Sequence, residues 1–121
     1  MHCDEISRVL NLQPRFSKDV GAPRVKSDGT ESGGVNEQTY WSSRIETNES
    51  DSLVEALNTS LADLEVHRDF LRKFAASGGE IEYFIGWFTT ETSGGEIIDW
   101  KLLKRLADLR IGLSLDVYGN K

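Results

Sequence analysis

The sequence predicts an α+β protein on three observations. Apolar and polar residues alternate with period two over Thr39–Thr47, Glu80–Phe88 and Leu113–Tyr118. Apolar residues recur at helical steps of three, four and seven from Leu53 to Phe74, and again at helical spacing from Trp100 to Leu109. Clusters of Gly, Ser and Pro separate the two kinds of segment. With 121 residues, the chain has room for one ordinary hydrophobic core, so residues 1–121 are expected to form a single domain.

The opening Asp4-Glu5-Ile6-Ser7-Arg8-Val9-Leu10 reads as a short helix. Acids occupy its first turn, and Ile6, Val9 and Leu10 share a face. Pro14 is expected to close it, because a proline disfavours helical backbone in the residue before it. Residues 15–38 are the least patterned stretch and are expected to be partly a mobile loop region. Within them Ala22–Lys26 reads as a short edge strand, Ser27-Asp28-Gly29-Thr30 as a turn, and Glu31-Ser32-Gly33-Gly34 as loop. Thr39–Thr47 then reads as a half-buried strand, with Trp41, Ser43 and Ile45 alternating against Tyr40, Ser42, Arg44 and Glu46.

Ser52-Leu53-Val54-Glu55 has the spacing of a capping box, in which Ser and Glu side chains satisfy helix-end amides reciprocally. The stripe Leu53, Leu57, Leu61, Leu64, Leu71, Phe74 follows, and the helix ends at Ser77-Gly78-Gly79. Val66 and Phe70 fall off that stripe, which predicts two helical pieces broken near Glu65. In Glu80–Phe88, Ile81, Tyr83, Ile85 and Trp87 line one face, with Glu82, Phe84, Gly86 and Phe88 on the other. Asp99 caps a helix with Trp100, Leu102, Leu103, Leu106 and Leu109 as apolar positions. The last strand sets Leu113, Leu115 and Val117 against Ser114, Asp116 and Tyr118. This order suggests a sheet of three to five strands, mixed or antiparallel, with helices packed on one face, of ferredoxin-like type.

The segment Asp4-Glu5-Ile6-Ser7-x-x-Leu10-x-Leu12-x-Pro14, the early strand Trp41, the long acidic helix region and the aromatic strand Tyr83–Trp87 together resemble the bacterial domain of unknown function 4279. So does the close, Leu102–Leu109 followed by Leu113–Tyr118. The resemblance covers nearly the whole chain and implies a fold class but no site. Domains of that family usually open with a strand before the Asp-Glu-Ile-Ser helix, and here only Met1-His2-Cys3 precedes it. Either the first strand is missing and the sheet incomplete, or residues 15–26 substitute for it.

The charge is uneven. Residues 28–69 carry ten Asp/Glu against Arg44 and Arg68, a net of −8 within a chain total of −6. That field repels phosphate backbones and disfavours nucleic acid as a partner. Residues 1–12 contain no apolar signal region and no segment is long and apolar enough for a membrane span, so no membrane partner and a cytoplasmic location are expected. Cys3 is the sole cysteine, so there is no internal disulfide and no Cys cluster for zinc.

Catalytic motifs do not survive inspection. His67-Arg68-Asp69 has the letters of a kinase catalytic loop, but Phe74 stands where that loop needs Asn and the triplet lies in a helical pattern. His2, Cys3, Asp4 and Glu5 are metal-competent but adjacent on a terminus, where they cannot enclose an ion. Gly33-Gly34 and Gly94-Gly95 lack phosphate-loop spacing. No catalytic residue, metal site or cofactor is expected, and the chain leans towards a non-enzyme.

The remaining signal is a surface. With Tyr83, Ile85 and Trp87 turned to the helices, Tyr40, Phe84, Phe88 and Tyr118 project from the other sheet face among Arg44, Glu82, Glu46 and Asp116. Aromatics rimmed by charge bury much area on binding at small entropic cost. Two readings follow. One is a non-enzymatic protein-binding domain, immunity-like in one version, that meets a basic protein or a second copy of itself through this face or the acidic helix region. The other is a small-molecule-binding or hydrolytic domain using the carboxylates and Arg44. Against both stands residues 15–38 folding over the face as a second core.

Overall fold

The computed structural model describes residues 1–26, 28–45, 52–89 and 96–119, with backbone alone for 87–89 and 118–119. Its residues fall into two compact units, Met1–Glu46 and Thr47–Lys121.

In the first unit, helix α1 (Cys3–Leu10) buries Cys3 and Ile6. It stops earlier than Pro14 would require. Asn11 takes the left-handed conformation at φ 54° and its amide returns to the Ser7 carbonyl, which also accepts from Leu12 at 3.2 Å. Strand β1 (Phe16–Lys18) pairs antiparallel with β4 (Tyr40–Ser42), Ser17 opposite Trp41. The Trp41 indole N–H donates to Ser7 Oγ at 2.9 Å and ties β4 to α1. The strand expected over Thr39–Thr47 is therefore shorter, and its last two positions lie outside the described residues.

Strand β2 (Pro23–Val25) pairs antiparallel with β3 (Glu31–Val35). This corrects the loop expected over Glu31–Gly34. The segment has no apolar alternation because every residue of both strands is exposed; backbone bonds rather than burial make the pair. Gly33 and Gly34, at φ 88° and 74°, adopt a conformation that side chains resist, and the register shifts between Pro23 and Val25 opposite them. The turn closes through Lys26 N–H to the Thr30 carbonyl at 2.7 Å, with Asp28 Oδ1 accepting from the Thr30 amide and hydroxyl. Residues 15–26 thus supply two strands, which pair with β4 and β3.

The second unit holds most of the core. Helix α2 (Leu53–Glu65) begins at the expected capping box and α3 (Arg68–Ala76) follows after a break at Val66-His67. Val66, which falls off the leucine stripe, is 79% exposed, while Leu71, seven residues after Leu64 on that stripe, is buried. Gly78, at φ 97°, ends α3. Strand β5 (Ile81–Thr89) runs parallel to β6 (Ile111–Gly119), in register from Ile81 opposite Ile111 to Thr89 opposite Gly119. Parallel neighbours need a crossover connection, which contains α4 (Trp100–Asp108). Leu57, Leu61, Leu71, Leu102, Leu106 and Leu109 pack the interior with Tyr83 and Ile111.

The class is α+β, with helices and both kinds of strand pairing. The described strands pair in three twos rather than in one sheet of three to five. Short segments such as Phe16–Lys18 make too few ladder bonds to announce their partner in sequence.

Candidate functional site: the open face of the parallel pair

Alternation along β5 and β6 sorts their side chains. Ile81, Tyr83, Ile111 and Leu113 turn to the helices; Tyr83 is 8% exposed and its hydroxyl meets Ser60 Oγ of α2 at 2.7 Å. Burial pushes the Tyr83 phenol up from its ordinary value. The opposite set is Glu82, Phe84 and Gly86 on β5 with Gly112, Ser114 and Asp116 on β6, paired in that order across the strands. Glu82, Phe84 and Asp116 are exposed.

Phe84 is 67% exposed in the middle of this face. Its neighbours across and along the strands, Ser114, Gly86 and diagonally Gly112, are small, so the ring stands above a shallow floor. A methyl group built on Gly112 would meet little beyond the Ile81 carbonyl at 3.9 Å, so the space is open rather than closely packed. Glu82 lies on one side of the ring along β5, and Asp116 lies diagonally on the other side on β6. The face therefore offers one apolar knob between two carboxylates.

Parallel sheets ordinarily have both faces covered. Here the helices cover one face at Ile81, Tyr83, Ile111 and Leu113 but leave Leu115 and Val117 of that same side 53% and 59% exposed, and the other face leaves a phenyl ring in water. The arrangement can bury a ring, accept cationic groups at two points, and stack a cation on Phe84.

Of the seven residues expected at the site, Glu82, Phe84 and Asp116 come together. Phe88 and Tyr118 are direct backbone partners further along the same pair, and their side chains lie outside the described residues. Tyr40 and Arg44 belong to the first unit: Tyr40 stands opposite Lys18 at 55% exposure, and Arg44 is exposed just beyond β4.

The first unit carries a separate open groove of about 600 Å³, whose lining includes Lys18, Arg24, Asn36, Glu37 and Tyr40. Arg24 is held there by Nε–H to the Val35 carbonyl at 3.0 Å and by Glu37 at 3.7 Å. Arg44, Glu82 and Asp116 do not line it, so the convergence that the small-molecule reading requires is not found at this groove.

Two groups missed by sequence reasoning organise the second unit. Glu96 accepts from the Leu53 and Val54 amides at 2.8 and 3.0 Å, adding a second acceptor to the Ser52 cap from 40-odd residues along the chain. Arg105 clamps Glu65 with two bonds, at 2.6 and 3.2 Å, and reaches Asn58 Oδ1 at 2.7 Å. A Glu before an apolar pair and an Arg inside a helix carry no spacing that would reveal such partners. Among the described residues no group of three or more His, Cys, Asp or Glu could hold a metal ion, and no helix is long and apolar enough to cross a membrane.

A family model described as Domain of unknown function (DUF4279) matches residues 1–120. Neither curated proteins nor solved structures give a match.

Proposed function

We propose that this chain, which belongs to the DUF4279 family, is a non-enzymatic binding domain whose open β5–β6 face receives a basic protein. The observation that carries the reading is Phe84, two-thirds exposed on the uncovered face of a parallel pair, between Glu82 and Asp116. A partner presenting an apolar recess flanked by Lys or Arg would bury the ring and meet both carboxylates. The net charge of −6 steers such a partner inward. In the immunity-like version the partner is a basic toxin or nuclease encoded beside this gene, in a bacterial cytoplasm.

The test has two arms. Titrating the isotope-labelled protein with an arginine-rich peptide containing aromatic residues should shift backbone resonances of β5 and β6 around Glu82, Phe84 and Asp116. Shifts confined to α2 and α3 would transfer the site to the acidic helix region. For the immunity-like version, co-expression with the neighbouring toxin should rescue growth, and Phe84→Asp should abolish rescue without unfolding the protein. Absence of any toxin gene nearby removes that version and leaves the first arm standing.

A further inference from the structure

In the first unit the connection from β1 to β2 is bonded to the connection from β3 to β4 at Asn36. The Asn36 amide donates to the Ala22 carbonyl at 2.9 Å, and its carbonyl accepts from the Gly21 amide at 2.9 Å. Its side-chain nitrogen donates to the Asp19 carbonyl at 3.1 Å, and the Val20 amide donates to Thr39 Oγ1 at 3.0 Å. The groove of about 600 Å³ draws its lining from all four of these strands and from Asn36 itself. Its walls are therefore held by backbone bonds, which set the concavity before any ligand arrives.

The lining side chains give the groove a sign of its own. Lys18 and Arg24 outnumber Glu37 there, in a chain whose net charge is −6. Lys18 stands directly opposite Tyr40 in the β1–β4 ladder, so an ammonium and a phenol ring share one face. Arg24 is tethered by its Nε–H to the Val35 carbonyl at 3.0 Å, which leaves its two terminal nitrogens to the groove. Glu37, the one carboxylate in the lining, lies 3.7 Å from Arg24 with its side chain 84% exposed, a contact weak enough to exchange. Among the described residues, the Lys18 ammonium, the Gln38 amide and the Tyr40 hydroxyl have no side-chain partner.

We propose that this groove binds a small organic oxyanion, a carboxylate or phosphate ester joined to a ring, with its charged group between Lys18 and Arg24 and its ring against Tyr40. A guanidinium tethered at Nε presents its terminal N–H groups as a fork that two oxygens of one anion can meet. The volume lies within the roughly 300–1,000 Å³ of small-molecule sites. Lys18, Arg24 and Glu37 are all exposed, so water and salt screen the contact and the affinity is in the millimolar range. Glu37 holds Arg24 in the free protein and yields to the ligand, which makes it a brake on binding. The site is independent of the Phe84 face, which belongs to the other unit.

Titration of the isotope-labelled full chain at low salt tests this, with phenyl phosphate, benzoate and inorganic phosphate as probes. Phenyl phosphate or benzoate should shift the backbone resonances of Lys18, Arg24, Asn36, Glu37 and Tyr40 saturably, with a dissociation constant of about 0.5–10 mM. The tighter of the two identifies the charged group. Lys18→Gln, which breaks no contact within the protein, should weaken binding about three- to tenfold. Glu37→Gln should strengthen it about two- to fivefold, a direction that damage to the fold would not produce. Inorganic phosphate should bind about threefold or more weakly than phenyl phosphate, and Tyr40→Ala should remove that difference. No saturable shift from either ring-bearing probe at about 20 mM overturns the proposal, as do shifts confined to β5 and β6. An affinity that neither Lys18→Gln nor Glu37→Gln changes also overturns it, and equal binding of phenyl and inorganic phosphate overturns the ring's place on Tyr40. Resonances unchanged away from each substituted position show that the variant groove is still formed.

Discussion

The Cys3 thiol is 4% exposed and donates towards the carbonyls of Tyr40 and Lys18 at 3.2 and 3.4 Å, while its own amide donates to Asp19 Oδ1 at 2.7 Å. Burial, and then the Asp19 carboxylate, push the thiol up from its ordinary value of 9.0. A group whose folded pKa is raised contributes stability that is intact below its unfolded value and is lost as pH rises through the folded one. Stability should therefore fall above about pH 9 in the wild type and less steeply in Cys3→Ala, read as urea midpoints across that range. Native-state labelling by a thiol reagent should also be about 100-fold or more slower than in urea; equal rates would show the thiol to be open. Glu65 gives the opposite slope. The bonds from Arg105 hold its carboxyl below the usual range. A lowered folded value stabilises above the unfolded value of 4.5 and is lost as pH falls through the folded one. Both partners are about a third exposed, so the effect stays below about 1 kcal/mol. Glu65→Gln should flatten the acid limb of the stability curve between about pH 2 and 5 while leaving the alkaline limb alone.

Helices α2 and α3 show how an element is set by its burial. Leu57, Leu61 and Leu71 are each under 5% exposed, and Leu61 is at 0%. The helix breaks at Val66-His67, where Val66 faces water and Leu71, on the same stripe as Leu57 and Leu64, lies in the core. Ser52, Glu55 and Glu96 satisfy the first amides of α2, so its start is held by side chains from two parts of the chain. Leu61→Ala should cost about 2–5 kcal/mol, because a fully buried leucine leaves a cavity that close-packed neighbours fill only in part. A denaturant midpoint equal to that of the wild type would mean that α2 is not packed through this side chain.

At the scale of the whole molecule, the chain divides its labour. The large buried side chains belong to Thr47–Lys121, whereas Met1–Glu46 buries Cys3 and Ile6 and forms short strand pairs in which only Trp41 and Ser42 are half-buried. Phe84→Asp separates binding from folding. On an exposed face the substitution should shift the denaturant midpoint little, within about 0.5 kcal/mol, while abolishing partner binding. Unfolding by this substitution would make the ring part of a core and remove the principal support for a binding role.

Local signals in the chain determined much of this. The period-two runs of β5 and β6, the Ser52 box, the Asp99 cap and the break after Glu65 were each legible because they rest on neighbours within one or two turns. The face that Glu82, Phe84 and Asp116 share was legible in part, since alternation sorts side chains by parity before any partner strand is known. What tertiary structure alone decided was pairing. The parallel register that sets Phe84 beside Ser114, the separation of Tyr40 and Arg44 into the first unit, and β3 built on glycines all depend on contacts between distant segments. The same is true of Glu96 on α2 and Arg105 on Glu65. Backbone hydrogen bonds and single polar contacts leave no periodicity in a sequence, because their geometry is fixed by the partner and not by the residues on either side.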